Sequence, residues 1–194
     1  MDYTNKYAWV DSYLKNHLKE SRVRHIYGVR DTAVCLALKF GADVSKAELA
    51  AMFHDFYKGL SGEELNSMVR ELGLPEKYLD NNNLAHSKLA AIMMKKEYGI
   101  DDEDVLNAVS YHTTGRAGMS LLEKIIYLAD AIEPGRNYPG VEELRRLALE
   151  DLDKACLFSM KRTVDFVKEQ GKELDGDTLS ALEFIENEQN KKRI

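Results

Sequence analysis

Little in this sequence would keep a chain extended or disordered. It has only 3 prolines and 12 glycines in 194 residues, too few for linkers or low-complexity segments. Cysteine is scarce as well. Cys35 and Cys156 stand far apart in apolar helical patterns. That spacing suits neither a disulfide framework nor a metal or redox motif, and reads as two buried thiols of a reducing cytoplasm. No apolar run approaches the roughly 20 residues that span a bilayer. Residues 1–10 lack the apolar stretch of a signal peptide. An excess of positive charge is missing too: 27 Lys and Arg stand against 33 Asp and Glu, a net −6, which argues against a general nucleic-acid surface. What is present is 44% hydrophobic and 31% charged residues, the makeup of a globular chain with a sizeable core. The expectation is one domain over residues 1–194, with neither nucleic acid nor membrane as partner.

The apolar period is helical. Val29, Ala33, Leu36, Ala37 and Phe40 mark one face of a helix that stops near Gly41. Ser45 with Glu48, Ser61 with Glu64, and Ser120 with Glu123 have capping-box spacing, in which side chains satisfy the free N–H groups of a first turn. They predict helices that run to about Tyr57, to about Gly73, and to just before Pro134. Further helices are expected over about 84–98, 102–112, 141–149, 152–170 and 178–190. No strand pattern of useful length alternates, so the predicted class is all-α. Phe158, Val164, Phe166, Val167, Leu179, Leu182 and Ile185 are read as core.

The chemistry rests on five histidines. His54-Asp55 closes an apolar helix, and His54 follows Ala50 by four residues, on the same face. His112 continues the stripe Val105, Ala108, Val109, and Asp130 continues Leu122, Ile126, Ala129. These polar groups point inward from helix ends. Buried without partners, each would cost a few kcal/mol. A metal removes that cost, because neutral imidazole and ionised carboxylate are its natural ligands. Taken singly, His25, His86 or His112 is more often a hydrogen-bonded core residue, and an inward Asp more often a cap or ion-pair partner. As a set near helix ends, in a chain poor in histidine, they point to a metal. His17, within Lys15-Asn16-His17-Leu18-Lys19, reads as a solvated surface residue. An imidazole-rich set suits a transition metal better than magnesium.

Four segments carry a resemblance. They are Arg24-His25-Ile26-Tyr27-Gly28-Val29, the stretch from Ala50 through His54-Asp55 to Lys58, Tyr111-His112-Thr113-Thr114-Gly115-Arg116, and the run from Leu121 through Asp130 to Arg136. In this order they resemble the HD superfamily of metal-dependent phosphohydrolases. Over about residues 17–183 the chain is similar to its bacterial branch of symmetrical diadenosine tetraphosphate hydrolases. The resemblance implies an HD-domain helical bundle of about seven to ten helices. The metal-site core would cover 18–133, with the C-terminal helices of 141–190 packed on it. It implies two divalent transition metals, iron first, with manganese, cobalt or zinc as alternatives. One metal would be held by His25, His54, Asp55 and Asp130. The other would be held by His86 and His112, with Asp55 bridging. It further implies cleavage of diadenosine tetraphosphate into two ADP by a metal-bridging hydroxide. His54, Asp55, Lys58 and Arg116 are then the catalytic candidates. Lys58, His112, Thr113, Thr114, Arg116, Glu133 and Arg136 are the candidates for substrate contact, and Glu133 could instead orient a ligand. The rival readings are a phosphohydrolase of another nucleotide and a nucleotide-binding regulator without turnover. The presence of all six ligand residues weighs against the second rival. A homodimer is left open.

Overall fold

A computed structural model describes residues 4–191, with side chains from Ala8 onward. Ten α-helices follow one another: α1 (Thr4–His17), α2 (Glu20–Phe40), α3 (Val44–Phe53), α4 (Gly62–Glu71), α5 (Asn82–Tyr98), α6 (Glu103–Ser110), α7 (Leu121–Ile132), α8 (Val141–Glu150), α9 (Leu152–Glu169) and α10 (Gly176–Lys191). A short 3-10 turn, Glu76–Tyr78, precedes α5. No strand occurs among the described residues, in agreement with the all-α reading.

The local signals act where the sequence puts them. The α2 stripe buries Ile26, Val29, Ala33, Leu36 and Ala37. Gly41 ends the helix at φ 76°, its N–H donating to the Ala37 carbonyl, and Gly99 does the same for α5 at φ 58°. Both sit in the left-handed region, where a Cβ is penalised. Ser61 and Glu64 make a full capping box on α4, and Ser120 accepts from the Glu123 N–H on α7.

At α3 the structure corrects the reading. Ser45 lies inside the helix. The cap is Asp43, whose carboxylate accepts from the Lys46 N–H at 3.1 Å. Asp43 comes two positions earlier, and an ionised carboxylate is favoured at the positive end of the helix dipole. The helix also stops at Phe53, short of Tyr57. Beyond it, Phe56 N–H donates to the Phe53 carbonyl at 3.1 Å and Lys58 N–H to the Asp55 carbonyl at 3.0 Å. These tight turns replace the helical ladder and carry His54 and Asp55 at the point where it opens.

α2 packs across α3 and α7, α6 packs on α5, α7 and α3, and α9 joins α7 to α8 and α10. The centre of this arrangement lies among α2, α3, α5, α6 and α7. No element was expected over residues 4–16, yet α1 is held there by Val10 and Leu14, both fully buried. The Trp9 and Tyr13 rings lie 5.7 and 3.9 Å from the Phe56 ring, an aromatic stack that closes the back of the His54-Asp55 turn. His17 is exposed, as read.

Three further expectations change. Cys35 is exposed, whereas Cys156 is buried, because Leu36 and Ala37 take the inner face of α2. Phe166 and Leu179 are 62% and 47% exposed, although both were read as core. Phe166 stands two residues from the buried Val164, a spacing that places it on the other side of α9. Leu179 lies two residues before the buried Ala181 on α10 and turns outward for the same reason. No helix among the described residues is long and apolar enough to cross a membrane.

Candidate metal centre

Five separate stretches of chain converge on one point. His25 comes from α2, His54 and Asp55 from the turn after α3, His86 from α5, His112 from the turn after α6, and Asp130 from α7. His54, Asp55, His86 and His112 are all buried.

Each imidazole is held through Nδ1. His54 Nδ1–H donates to the Ala51 carbonyl at 2.6 Å, His86 to Asn82 at 3.0 Å and His112 to Val109 at 2.8 Å. His25 Nδ1–H donates to Glu133 Oε1 at 3.1 Å. These bonds assign the Nδ1–H tautomer and leave every Nε2 as a lone pair facing inward. His25 Nε2 and His54 Nε2 are 3.4 Å apart, and His86 Nε2 and His112 Nε2 are 3.3 Å apart. Lone pairs aimed at each other repel unless a cation lies between them, so the donor set fits divalent metal.

The carboxylates complete the set. Asp55 Oδ2 lies 3.6 Å from both His25 Nε2 and His54 Nε2, while its Oδ1 lies 3.1 Å from His86 Nε2 and 3.9 Å from His112 Nε2. One carboxylate thus presents a different oxygen to each imidazole pair. Asp130 Oδ1 is 3.1 Å from His25 Nε2. Three overlapping triads have all their ligand atoms within 4.8 Å: His25, His54 and Asp55; His54, His112 and Asp130; Asp55, His86 and His112.

The electrostatics favour the binding state of His54, His112, Asp55 and Asp130. Burial pushes His54 down and His112 down to about 3, so both are neutral at physiological pH. Burial alone would raise Asp55, but the facing His54 and His86 outweigh it and hold the carboxyl well below its usual range. Asp130 follows the same balance, with burial opposed by the facing His25 and by Arg136. Burial lowers Lys58 from the ordinary lysine range.

A cavity of about 520 Å³ opens over the cluster, and Arg22, Lys58, Thr113, Thr114 and Arg136 line it beside Asp55, His86, His112 and Asp130. Arg136 donates from Nε to the Asp130 carbonyl at 2.7 Å and pairs through Nη2 with the Asp130 carboxylate. Lys58 Nζ lies 3.4 Å from Asn83 Oδ1. Thr113 Oγ1 is 3.2 Å from His112 Nε2, and Thr114 donates its hydroxyl to the Gly115 carbonyl at 2.9 Å. Arg116 is not among the residues lining this cavity. Its guanidinium donates to Glu123 Oε1 at 2.6 and 3.2 Å and stands over the Tyr111 ring.

Glu133 is buried and turned toward His25, and its Oε2 accepts from the Gly135 N–H at 2.5 Å. Three residues to which the sequence assigns no role support this arrangement. Arg22 places Nη1 2.7 Å from Asp55 Oδ2. Its spacing, one helical turn before His25, was the available signal. Gly28 leaves room for Glu133: a Cβ there would lie 2.7 Å from Glu133 Oε2. Arg145 donates to the carbonyls of Ile132, Glu133 and Arg136, each at 2.9 Å, and so pins the loop after α7. No sequence pattern marks Gly28 or Arg145 for these roles.

Comparison with known proteins agrees with this architecture. The family model described as HD domain matches residues 22–135. A Bacillus subtilis protein named bis(5'-nucleosyl)-tetraphosphatase, symmetrical, is 45% identical over 173 residues, covering 89% of this chain and 93% of its own. A Staphylococcus aureus protein of the same name is 39% identical, covering 88% of this chain and 89% of its own. The crystal structure of a predicted HD superfamily hydrolase involved in NAD metabolism, from Clostridium acetobutylicum, superposes with a TM-score of 0.89 at 46% identity, covering 94% of this chain and 97% of that one. With the match spanning the His25, His54, Asp55 and Asp130 stretches, and with relatives similar over nearly their full length, the chain belongs to the HD domain family.

Proposed function

We propose that this protein is a metal-dependent hydrolase that cleaves diadenosine tetraphosphate symmetrically into two ADP. The observation that carries the reading is Asp55, whose two oxygens serve two separate imidazole pairs, together with the activity named for relatives 45% and 39% identical. His25, His54, Asp55 and Asp130 would hold one divalent ion. His86 and His112 would hold the second, with Asp55 shared. Iron is the proposed metal, with manganese, cobalt or zinc able to fill the same nitrogen-rich set. Such a pair, when bound, makes water nucleophilic near neutral pH and neutralises phosphate charge.

The chain's own groups do the rest. Arg22 and Arg136 flank the cluster and offer forked donors to a polyphosphate, and Lys58 adds a point charge. Burial lowers the pKa of Lys58, which suits it to give a proton to the departing ADP oxygen. Thr113 is placed to donate to a phosphate oxygen. Glu133 fixes the ring of His25 rather than touching substrate. Arg116 is read as a positioning residue that steadies the turn carrying Thr113 and Thr114 through Glu123. The bond cleaved joins the two central phosphates: water oxygen adds to one phosphorus, and the bridging oxygen leaves with the other ADP. The cytoplasm is the proposed location.

The test is product analysis with diadenosine tetraphosphate, with and without added iron or manganese. ADP as sole product, with bound transition metal, is the expected result. AMP plus ATP would keep the hydrolase and overturn symmetrical cleavage. Metal without turnover would favour another nucleotide or a regulatory role.

A further inference from the structure

A second cavity of about 530 Å³ adjoins the one over the metal cluster. Arg136, Thr163 and Phe166 line both. Its remaining walls are mainly apolar or aromatic, with Tyr138 and Pro139 on the loop before α8 and Ser159 and Arg162 on α9. Phe166 is 62% exposed, the second most exposed large apolar side chain among the described residues. Exposing that ring at the junction of two cavities has a cost that packing would have removed. The surrounding groups are fixed. Tyr138 donates its hydroxyl to the Ala131 carbonyl at 2.8 Å. Arg162 pairs with the Pro139 carbonyl and lies within 6.0 Å of the Tyr138 and Phe158 ring centres. Thr163 donates to the Ser159 carbonyl at 3.1 Å, and Ser159 to Tyr127 Oη at 3.3 Å. Thr163 also bonds the Tyr127 hydroxyl, and each of the two oxygens keeps a lone pair that can accept.

We infer that this pocket is a nucleoside subsite, with Phe166 and Arg162 as its stacking surfaces. The inference rests on the reading of the metal cavity as a polyphosphate site. A flat, polarisable base suits an aromatic ring beside a guanidinium. The hydroxyls of Ser159 and Thr163 suit the exocyclic amine of a purine. Arg136, shared by the two cavities, spans the step from base to phosphate. The metal cluster lies at the middle of a symmetrical dinucleotide, so each end needs its own seat. The pocket beyond Arg136 provides one of them. Phe166 is thereby a specificity-determining residue that touches the base and not the reacting atoms.

The test uses the manganese-loaded enzyme and Phe166→Ala, with Phe166→Tyr as the conservative control. The exposed ring leaves the fold tolerant of both changes. Loss of one base stack should raise KM for diadenosine tetraphosphate about tenfold, equivalent to about 1.4 kcal/mol, with a smaller change in kcat. Phe166→Tyr should restore it. Inhibition by inorganic tetraphosphate, which carries no base, should be unchanged in Phe166→Ala. An unchanged KM would overturn the subsite, as would an equal loss of tetraphosphate inhibition. Phe166→Trp then separates this idea from the activity itself, because binding can be read without turnover. Quenching of its added fluorescence by ADP but not by pyrophosphate would uphold the subsite even if diadenosine tetraphosphate were not cleaved. Cleavage without any Phe166 effect would retain the activity and discard the subsite.

Discussion

Gly28→Ala should loosen the metal while leaving the helix intact. His25 and Gly28 lie one turn apart on α2, and both face Glu133. A Cβ at position 28 would stand 2.7 Å from Glu133 Oε2, so the carboxylate must retreat by roughly 0.7 Å to reach the 3.4 Å of ordinary contact. Retreat from Gly28 is also retreat from His25, and the 3.1 Å bond to His25 Nδ1 then passes beyond useful hydrogen-bond range. A metal-binding imidazole that loses its orienting acceptor typically costs about 10- to 100-fold in metal affinity or activity, or about 1.4–2.7 kcal/mol. Against this, alanine in a helix interior is favoured over glycine by about 1 kcal/mol. The fold is therefore not expected to weaken. The assay is metal retention during dialysis against graded chelator, followed by elemental analysis, beside the thermal midpoint of the metal-free protein. A folded variant with wild-type metal affinity would refute the reasoning. A metal-free midpoint lower by many degrees would assign Gly28 to packing alone.

Other perturbations separate the remaining roles. His54→Ala and Asp55→Ala should each abolish turnover and reduce bound metal; wild-type metal content and activity in either would remove them from the site. Arg145→Ala frees three carbonyls of the loop after α7 and should cost about 3 kcal/mol, a fall of roughly 6–12 °C in Tm for a chain of this size. A change under 2 °C would mean that the loop holds without it. Lys88 is lowered to about 8, chiefly by burial. Between pH 8 and 10.5 the unfolded chain binds more protons there than the folded one, so this residue's contribution makes stability rise with pH across that window. The penalty below pH 8 amounts to about 3 kcal/mol. Urea unfolding of wild type and Lys88→Met at pH 8 and 10 should show the variant's advantage shrinking as pH rises. An advantage that does not change with pH would contradict this.

Much of the fold was readable because helix ends are decided by neighbours in sequence. Gly41, Gly99 and the Ser61–Glu64 box act within one turn of themselves, so a linear pattern suffices. Where two good caps competed, the pattern misled: Asp43 and Ser45 lie in one short stretch, and only the backbone path selects Asp43. Helix α1 has a stripe in Val10 and Leu14, continued by Leu18 just past its end, but the polar residues between them dilute the period. At the site, the donor types were legible because a buried imidazole or carboxylate needs a partner wherever it sits.

By itself the sequence determined the helical class, most helix ends and the six donor residues that converge. Tertiary structure decided their division of labour. Asp55 offers one oxygen to each imidazole pair only because the turn after α3 meets α2, α5 and α6 at once. Arg22 reaches Asp55 while Arg116 is held by Glu123, although sequence distance to the histidines gave no basis for choosing between them. Glu133 turns to His25 because α7 crosses α2 where Gly28 leaves space. Phe166 is left exposed because the loop before α8 faces that side of α9 across a cavity. Caps and stripes act over a few residues and are written locally. Crossings between helices join residues that may lie a hundred positions apart, and no local pattern encodes them.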